Sequence, residues 1–399
     1  MALRGLVPLV AAATLAVVVG TLPAPAVSIA GAQLVATPPP RPVCKTPLTN
    51  GTAINDAQFL GTHNSYHLSP PDSILSLIRG LLGDAIAKTF TVSQAPLAEQ
   101  LGALGVRQLE LDVMADPAGG EYAVPELIGA DLLGLVVTKA GRNAPLPPRP
   151  AAEVAALREP GPKILHVRDV DYWTTVLTFR AAMAEMVSWS ASLGGRHSPV
   201  AVLVEVIEPR PDVPLIRQPL AWSAADFVAL EAAILSTVGR ANVLTPADVR
   251  GAAPTLRAAV TTKGWPTLTA AAGKFLFFLD NGGALRDTYA RLPAGGTERL
   301  FFTDRADDTG HPDAAFVKIN NPSSPAAAAR ITEAVRAGFL VRTRADQDAV
   351  TGDTARRGAA LDSGATFVST DFPGAGRDGY SVGVGGGEGR VNPVRCVPA

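Results

Sequence analysis

Val106-Arg107-Gln108-Leu109-Glu110-Leu111-Asp112 runs from an apolar start to two carboxylates two positions apart. On a β-strand that spacing puts Glu110 and Asp112 on one side, with Leu109 and Leu111 on the other. Three more stretches end the same way, on groups that bind a hard metal ion or move a proton. They are Phe59-Leu60-Gly61-Thr62-His63-Asn64, Lys163-Ile164-Leu165-His166 and Val200-Ala201-Val202-Leu203-Val204-Glu205. Polar groups at the C-terminal ends of several strands are how a (β/α)8 barrel builds an active site, because its loops gather those ends at one mouth.

Reading outward, eight strand segments are expected, near Gln58–Thr62, Val106–Asp112, Lys163–Val167, Val200–Val206, Lys274–Leu279, Ala314–Ile319, Gly338–Thr343 and Ala365–Thr370. Several are apolar throughout, which suits a parallel sheet buried on both faces. Helical spacing fills most of the gaps, as at Ile74–Phe90, Thr174–Leu193, Ser223–Val238 and Pro325–Ala337. The alternation predicts a single-domain α/β (β/α)8 TIM barrel over residues 57–375. A doubly wound open sheet is the rival, and it lacks a Gly-rich phosphate turn after the first strand, where His63 and Asn64 stand instead.

Before the barrel, Met1 and Arg4 lead into an apolar stretch, Leu6–Leu22, followed by small-residue sites at Ala24-Pro25-Ala26 and Ala30-Gly31-Ala32. Residues 1–32 therefore read as a secretory signal and the protein as secreted, with a proline-rich arm at 33–56. A Gly-rich tail, 376–399, is expected to lead Cys396 back toward the N-terminus. Cys44 and Cys396 are the only cysteines, and export to an oxidising compartment predicts a disulfide between them. Across all 399 residues the net charge is −1, and no Lys/Arg cluster appears, so no nucleic-acid partner is expected. A monomer is expected.

Adding Asn64 and Glu205 to Glu110 and Asp112 gives an all-oxygen donor set. Hard oxygen ligands without sulfur favour one Ca2+ ion, with Mg2+ the second choice. A lone carboxylate closing a run such as Val200–Val204 is hard to bury without a partner, which argues for a metal centre over a salt-bridged barrel floor. His63 and His166 flank this set as acid/base groups. His67 is placed at the mouth with a weaker claim, His197 at the wrong end of the barrel and His311 in a polar turn. Lys318, Arg344 and Arg168 are the expected contacts to an anionic substrate, with Arg342 on the same side of its strand as Arg344.

Gly61-Thr62-His63-Asn64-Ser65-Tyr66, Leu109-Glu110-Leu111-Asp112, His166 and the strand-ending Glu205 together resemble the catalytic barrel of calcium-dependent phosphoinositide-specific phospholipase C. Gly264-Trp265-Pro266, Gly273-Lys274-Phe275, Val341–Asp346 and Ser369-Thr370-Asp371-Phe372-Pro373 are similar to secreted bacterial members. The resemblance implies cleavage of phosphatidylinositol-type lipids to diacylglycerol and a cyclic inositol phosphate, by attack of the inositol 2-hydroxyl. It implies that His63 stabilises the charged transition state and His166 protonates the departing glycerol oxygen. Asn64, Glu110, Asp112 and Glu205 would hold calcium, with Glu110 or Glu205 as the base. The expected partner is a phospholipid at a membrane surface, and the apolar helix at Ile74–Phe90 is one candidate for meeting it. Two rivals stay open: a glycerophosphodiesterase or sphingomyelinase-D-like enzyme, and a barrel that binds a lipid or glycan without turnover.

Overall fold

The computed structural model describes residues 48–125, 149–210, 217–292, 299–347, 349–374, 377–385 and 387–396. Its strands are β1 (Ala57–Thr62), β2 (Gln108–Met114), β3 (Lys163–Ile164), β4 (Val200–Val206), β5 (Phe275–Leu279), β6 (Phe301–Thr303), β7 (Phe316–Lys318), β8 (Leu340–Arg344), β9 (Phe367–Thr370) and β10 (Arg390–Val391). Eight of them are parallel neighbours in the order β6-β5-β4-β2-β1-β9-β8-β7. A parallel bridge between Asp304 and Phe316 spans the remaining seam, with the Arg305 N–H donating to the Phe316 carbonyl at 3.0 Å. The expected TIM barrel is therefore present and nearly closed.

Two strand assignments differ from expectation. Lys163–Val167 is not a barrel strand: only Lys163 and Ile164 pair with β2, and they run antiparallel to it. β2 pairs directly with β4, and the eighth strand is Phe301-Phe302-Thr303 between β5 and β7, three residues too short to register as a strand from pattern alone. The antiparallel turn has a consequence for the site. β3 meets β2 at Val113 and Met114, so the chain beyond Ile164 heads back toward Asp112 and delivers His166 over the mouth.

Inside, Phe278 meets Phe302, Phe316 and Phe367 at centroid distances of 5.2, 4.6 and 6.0 Å, so four strands share one aromatic plug. Two residues further along these strands the same inward side carries Asp280, Asp304, Lys318 and Ser369. The barrel floor is thus apolar and its upper layer polar. Outer helices start on side-chain caps: Thr178, Ser223 and Ser324 accept from the backbone three residues on, and Ser223 forms a capping box with Asp226.

The expected helix at Ile74–Phe90 is two helices, Asp72–Leu82 and Asp84–Thr89, broken at Gly83, whose φ is 89°. Ile74, Leu75 and Ile78 are buried with Phe90 against Val167, Val170 and Trp173, so these side chains cover the segment after β3. Among the described residues no helix is long and apolar enough to cross a membrane. The C-terminal segment packs on the body of the barrel: β10 pairs with β1, and Tyr380, Val382 and Val384 are buried. Cys44 lies outside the described residues, as does the expected signal segment.

Candidate functional site

At the C-terminal end of β1, Asn64 adopts φ 44°, a left-handed conformation that asparagine tolerates better than most residues. That turn brings the Ser65 N–H to the Glu110 carbonyl at 2.9 Å, while Ser65 Oγ accepts from the Glu110 N–H at 2.8 Å. The His-Asn turn is thereby locked to the strand that carries both carboxylates.

Carboxylate oxygens of Glu110, Glu205 and Asp280 lie within 4.8 Å of one another. Asp112 sits opposite Glu205 in the β2–β4 register. Burial, opposed by Arg342 and reinforced by Asp280, raises Glu110 above the ordinary carboxylate range; burial with Glu205 and Glu110 raises Asp112, and burial with the nearby Asp280 pushes Glu205 up to about 6. Asp280 is held low: burial opposes this, but Lys318 Nζ lies 2.5 Å from its Oδ2. Arg342, fully buried, ends on Glu110 Oε2 and also donates to Ser369 Oγ at 3.2 Å.

These donors fit a hard divalent ion. Asp112 Oδ1 and Asp280 Oδ1 are buried and make no hydrogen bond, and an all-oxygen cluster of this kind is what calcium takes. Four carboxylates against two directly paired cations, Lys318 and Arg342, leave two negative charges uncompensated. Asp280 was missed from sequence, although it follows Phe275–Leu279 as Glu205 follows its own apolar run.

Beside the cluster, a cleft of about 120 Å3 is lined by His63, Asn64, His67, Phe90, His166, Arg344 and Asp371, among others. His63 Nδ1 is 2.8 Å from Asp371 Oδ1, which leaves Nε2 as the unengaged ring nitrogen. Burial and Arg344 push His63 down to about 3 against the pull of Asp371. Burial would raise Asp371, but its contacts with His63 and Arg344 hold it well below the usual range, so a carboxylate accepts from a neutral ring. His166 Nδ1 lies 2.6 Å from Asp171 Oδ2. His63 and His166 are thus each paired with an aspartate. Asp371 follows β9 by one residue, a signal the sequence offered; Asp171 lies in a loop and carried none.

The three expected substrate cations separate. Arg344 lines the cleft and reaches Asp371 Oδ2 at 3.5 Å. Lys318 is committed to Asp280. Arg168 points elsewhere: it pairs with Glu121 at 2.6 Å, donates to the Gln218 carbonyl at 2.8 Å and packs over Tyr122, tying surface loops together. Its spacing from His166 suggested the cleft, but β3 ends at Ile164, so strand alternation does not reach Arg168, and the chain turns directly after it at Asp169, φ 67°. His197 lies on the far side of the barrel, bonded to Ser190 and the Ser198 carbonyl.

The sequence model described as phosphoinositide phospholipase C, Ca2+-dependent, matches residues 52–398. No curated protein sequence matches the chain. Among solved structures, a calcium-dependent phosphoinositol-specific phospholipase C from the Gram-negative Pseudomonas sp. is similar, with TM-score 0.50, 14% identity, and 85% of this chain and 97% of that one covered. A Ca2+-dependent phosphatidylinositol-specific phospholipase C from Streptomyces antibioticus aligns with TM-score 0.45 and 18% identity, over 81% of this chain and 95% of that one.

Proposed function

Since the chain belongs to the calcium-dependent phosphoinositide phospholipase C family, whose members are phosphoric diester hydrolases, we propose that it cleaves phosphatidylinositol-type lipids between glycerol and phosphate. The products are diacylglycerol and a cyclic inositol phosphate. The observation that carries this reading is the buried carboxylate cluster set beside two imidazoles, each with Nδ1 held by an aspartate.

Asn64, Glu110, Asp112 and Glu205, joined by Asp280, would hold one calcium ion. Bound there, the ion supplies positive charge to the phosphoryl oxygens and lowers the proton affinity of a coordinated hydroxyl. The residues do the rest. The inositol 2-hydroxyl oxygen forms a bond to phosphorus and gives up its proton to a carboxylate. Glu205, raised to about 6, suits that step, whereas Glu110 is tied through Oε2 to Arg342. As the phosphorus–glycerol bond breaks, His166 passes a proton from Nε2 to the departing oxygen, with Nδ1 anchored on Asp171. His63 and Arg344 face the same cleft; the incoming phosphate charge favours a second proton on His63, which then donates to a phosphoryl oxygen.

The reading includes a secreted, monomeric protein acting at a membrane surface, cleaved after its signal segment and closed by Cys44–Cys396. In support, β10 pairs with β1 and the Asn392 N–H donates to the Asp56 carbonyl at 2.8 Å, which brings the C-terminal segment to the start of the barrel. The test is activity on phosphatidylinositol vesicles with chelator, then with calcium or magnesium restored. Diacylglycerol released only with the ion is the expected product; phosphatidic acid or free inositol would assign the chain to a headgroup-releasing hydrolase instead.

A further inference from the structure

His67 faces the cleft from a buried position, 3% exposed, and no step above uses it. Its Nδ1 lies 2.8 Å from the Val92 carbonyl oxygen and its Nε2 lies 2.7 Å from Asp171 Oδ2. A carbonyl only accepts, so Nδ1 carries a proton. Asp171 Oδ2 is the same oxygen that meets His166 Nδ1 at 2.6 Å, and the two rings stand edge to face with centroids 5.5 Å apart.

We propose that His67 is a positioning residue for the proton delivered to the leaving group: it fixes the Asp171 carboxylate that in turn holds His166. The proposal rests on the reading of His166 as the acid. Held at Nδ1 by the Val92 carbonyl and at Nε2 by Asp171 Oδ2, the His67 ring is fixed at both nitrogens, and it fixes in turn the one carboxylate oxygen that also meets His166. A metal ion between these three residues fits worse: with bonds near 2.1 Å in tetrahedral geometry the donor atoms would stand about 3.4 Å apart. The separations found are those of shared protons. Loss of His67 leaves Asp171 with a single partner in the cleft wall, free to turn away from His166.

The test uses two substrates in the presence of calcium: phosphatidylinositol vesicles, whose glyceryl oxygen needs a proton to leave, and inositol 4-nitrophenyl phosphate, whose nitrophenolate does not. His67→Phe is expected to lower kcat on the lipid on the order of 10²-fold, the low end of what a positioned acid contributes, and to stay within about threefold on the nitrophenyl ester. His166→Ala should show the same split. His67→Gln, whose amide still donates to Asp171, should recover lipid activity to within about tenfold of the parent. Equal losses on both substrates, or no loss on the lipid, would overturn the proposal. If the Phe variant fails to fold, the Gln variant carries the comparison, since any loss it shows must still depend on the leaving group. A parent inactive on both substrates would instead refute the functional reading.

Discussion

Lys318 Nζ lies 2.5 Å from Asp280 Oδ2, and both groups belong to the polar layer directly above the aromatic plug. This pairing converts a residue that sequence placed on the substrate into a counter-ion of the carboxylate cluster. With Arg342 on Glu110, it trims the cluster's charge to that of one divalent ion. Asp280→Asn removes one donor and frees Lys318 to repel the ion. Calcium affinity, read by calorimetric titration, is expected to fall about 10- to 100-fold, as when groups supporting a metal site are lost. Unchanged affinity would place the ion away from β5.

The same cluster predicts how calcium binding depends on pH. Burial and Asp280 raise Glu205 to about 6 in the ion-free protein, and Glu110 and Asp112 are shifted the same way. An ion needs these groups deprotonated, so protons compete with it at Glu205 below that value. Apparent affinity should therefore fall as pH drops through 6, by about tenfold per pH unit for each proton displaced. Titrations at pH 5, 6, 7 and 8 check this. Affinity that rises on acidification would remove Glu205 from the site.

Most of the barrel and half of the site were legible in sequence, for reasons that specific residues make plain. Val200–Glu205 and Val106–Asp112 are long apolar runs with terminal carboxylates, and both became central strands with those groups at the mouth. Lys163–His166 had the same appearance and misled, because a two-residue antiparallel pairing leaves the same local pattern as a buried parallel strand. The aspartates behind His63 and His166 were not identified because pairing across 308 positions, or within an irregular loop, has no periodic signature. Arg168 was misplaced because a strand's alternation was extended into a turn.

Gly61 is the tightest point of the first strand. A Cβ there would stand 2.0 Å from Gln108 Oε1 and 2.7 Å from its Cδ, and the Gln108 amide is already committed to the Thr62 carbonyl at 3.2 Å. Gly61→Ala is therefore expected to lower stability by about 1–3 kcal/mol, the usual cost of overpacking a core. Thermal melting measures it. Calcium affinity should fall with it, since β1 carries Asn64; a melt identical to the parent would mean that Gln108 can swing clear.

Arg342 and Arg344 occupy the same side of β8, yet the structure gives them opposite work. Arg342 is sealed in against Glu110, whereas Arg344 looks into the cleft beside Asp371 and His63. Removing one partner of a buried pair leaves the other charge uncompensated, so Arg342→Met should cost about 3–5 kcal/mol of stability in chelator. Calcium should restore part of that loss, because the ion can take over neutralisation of Glu110. Arg344→Met removes a more accessible charge, so its effect on stability should stay within about 1 kcal/mol while KM for phosphatidylinositol rises roughly tenfold. Melting curves with chelator and with calcium, read beside steady-state kinetics, separate the two. A reversal, with Arg342 governing KM and Arg344 governing the melt, would mean that the phosphate sits over the barrel axis and not at the histidine cleft.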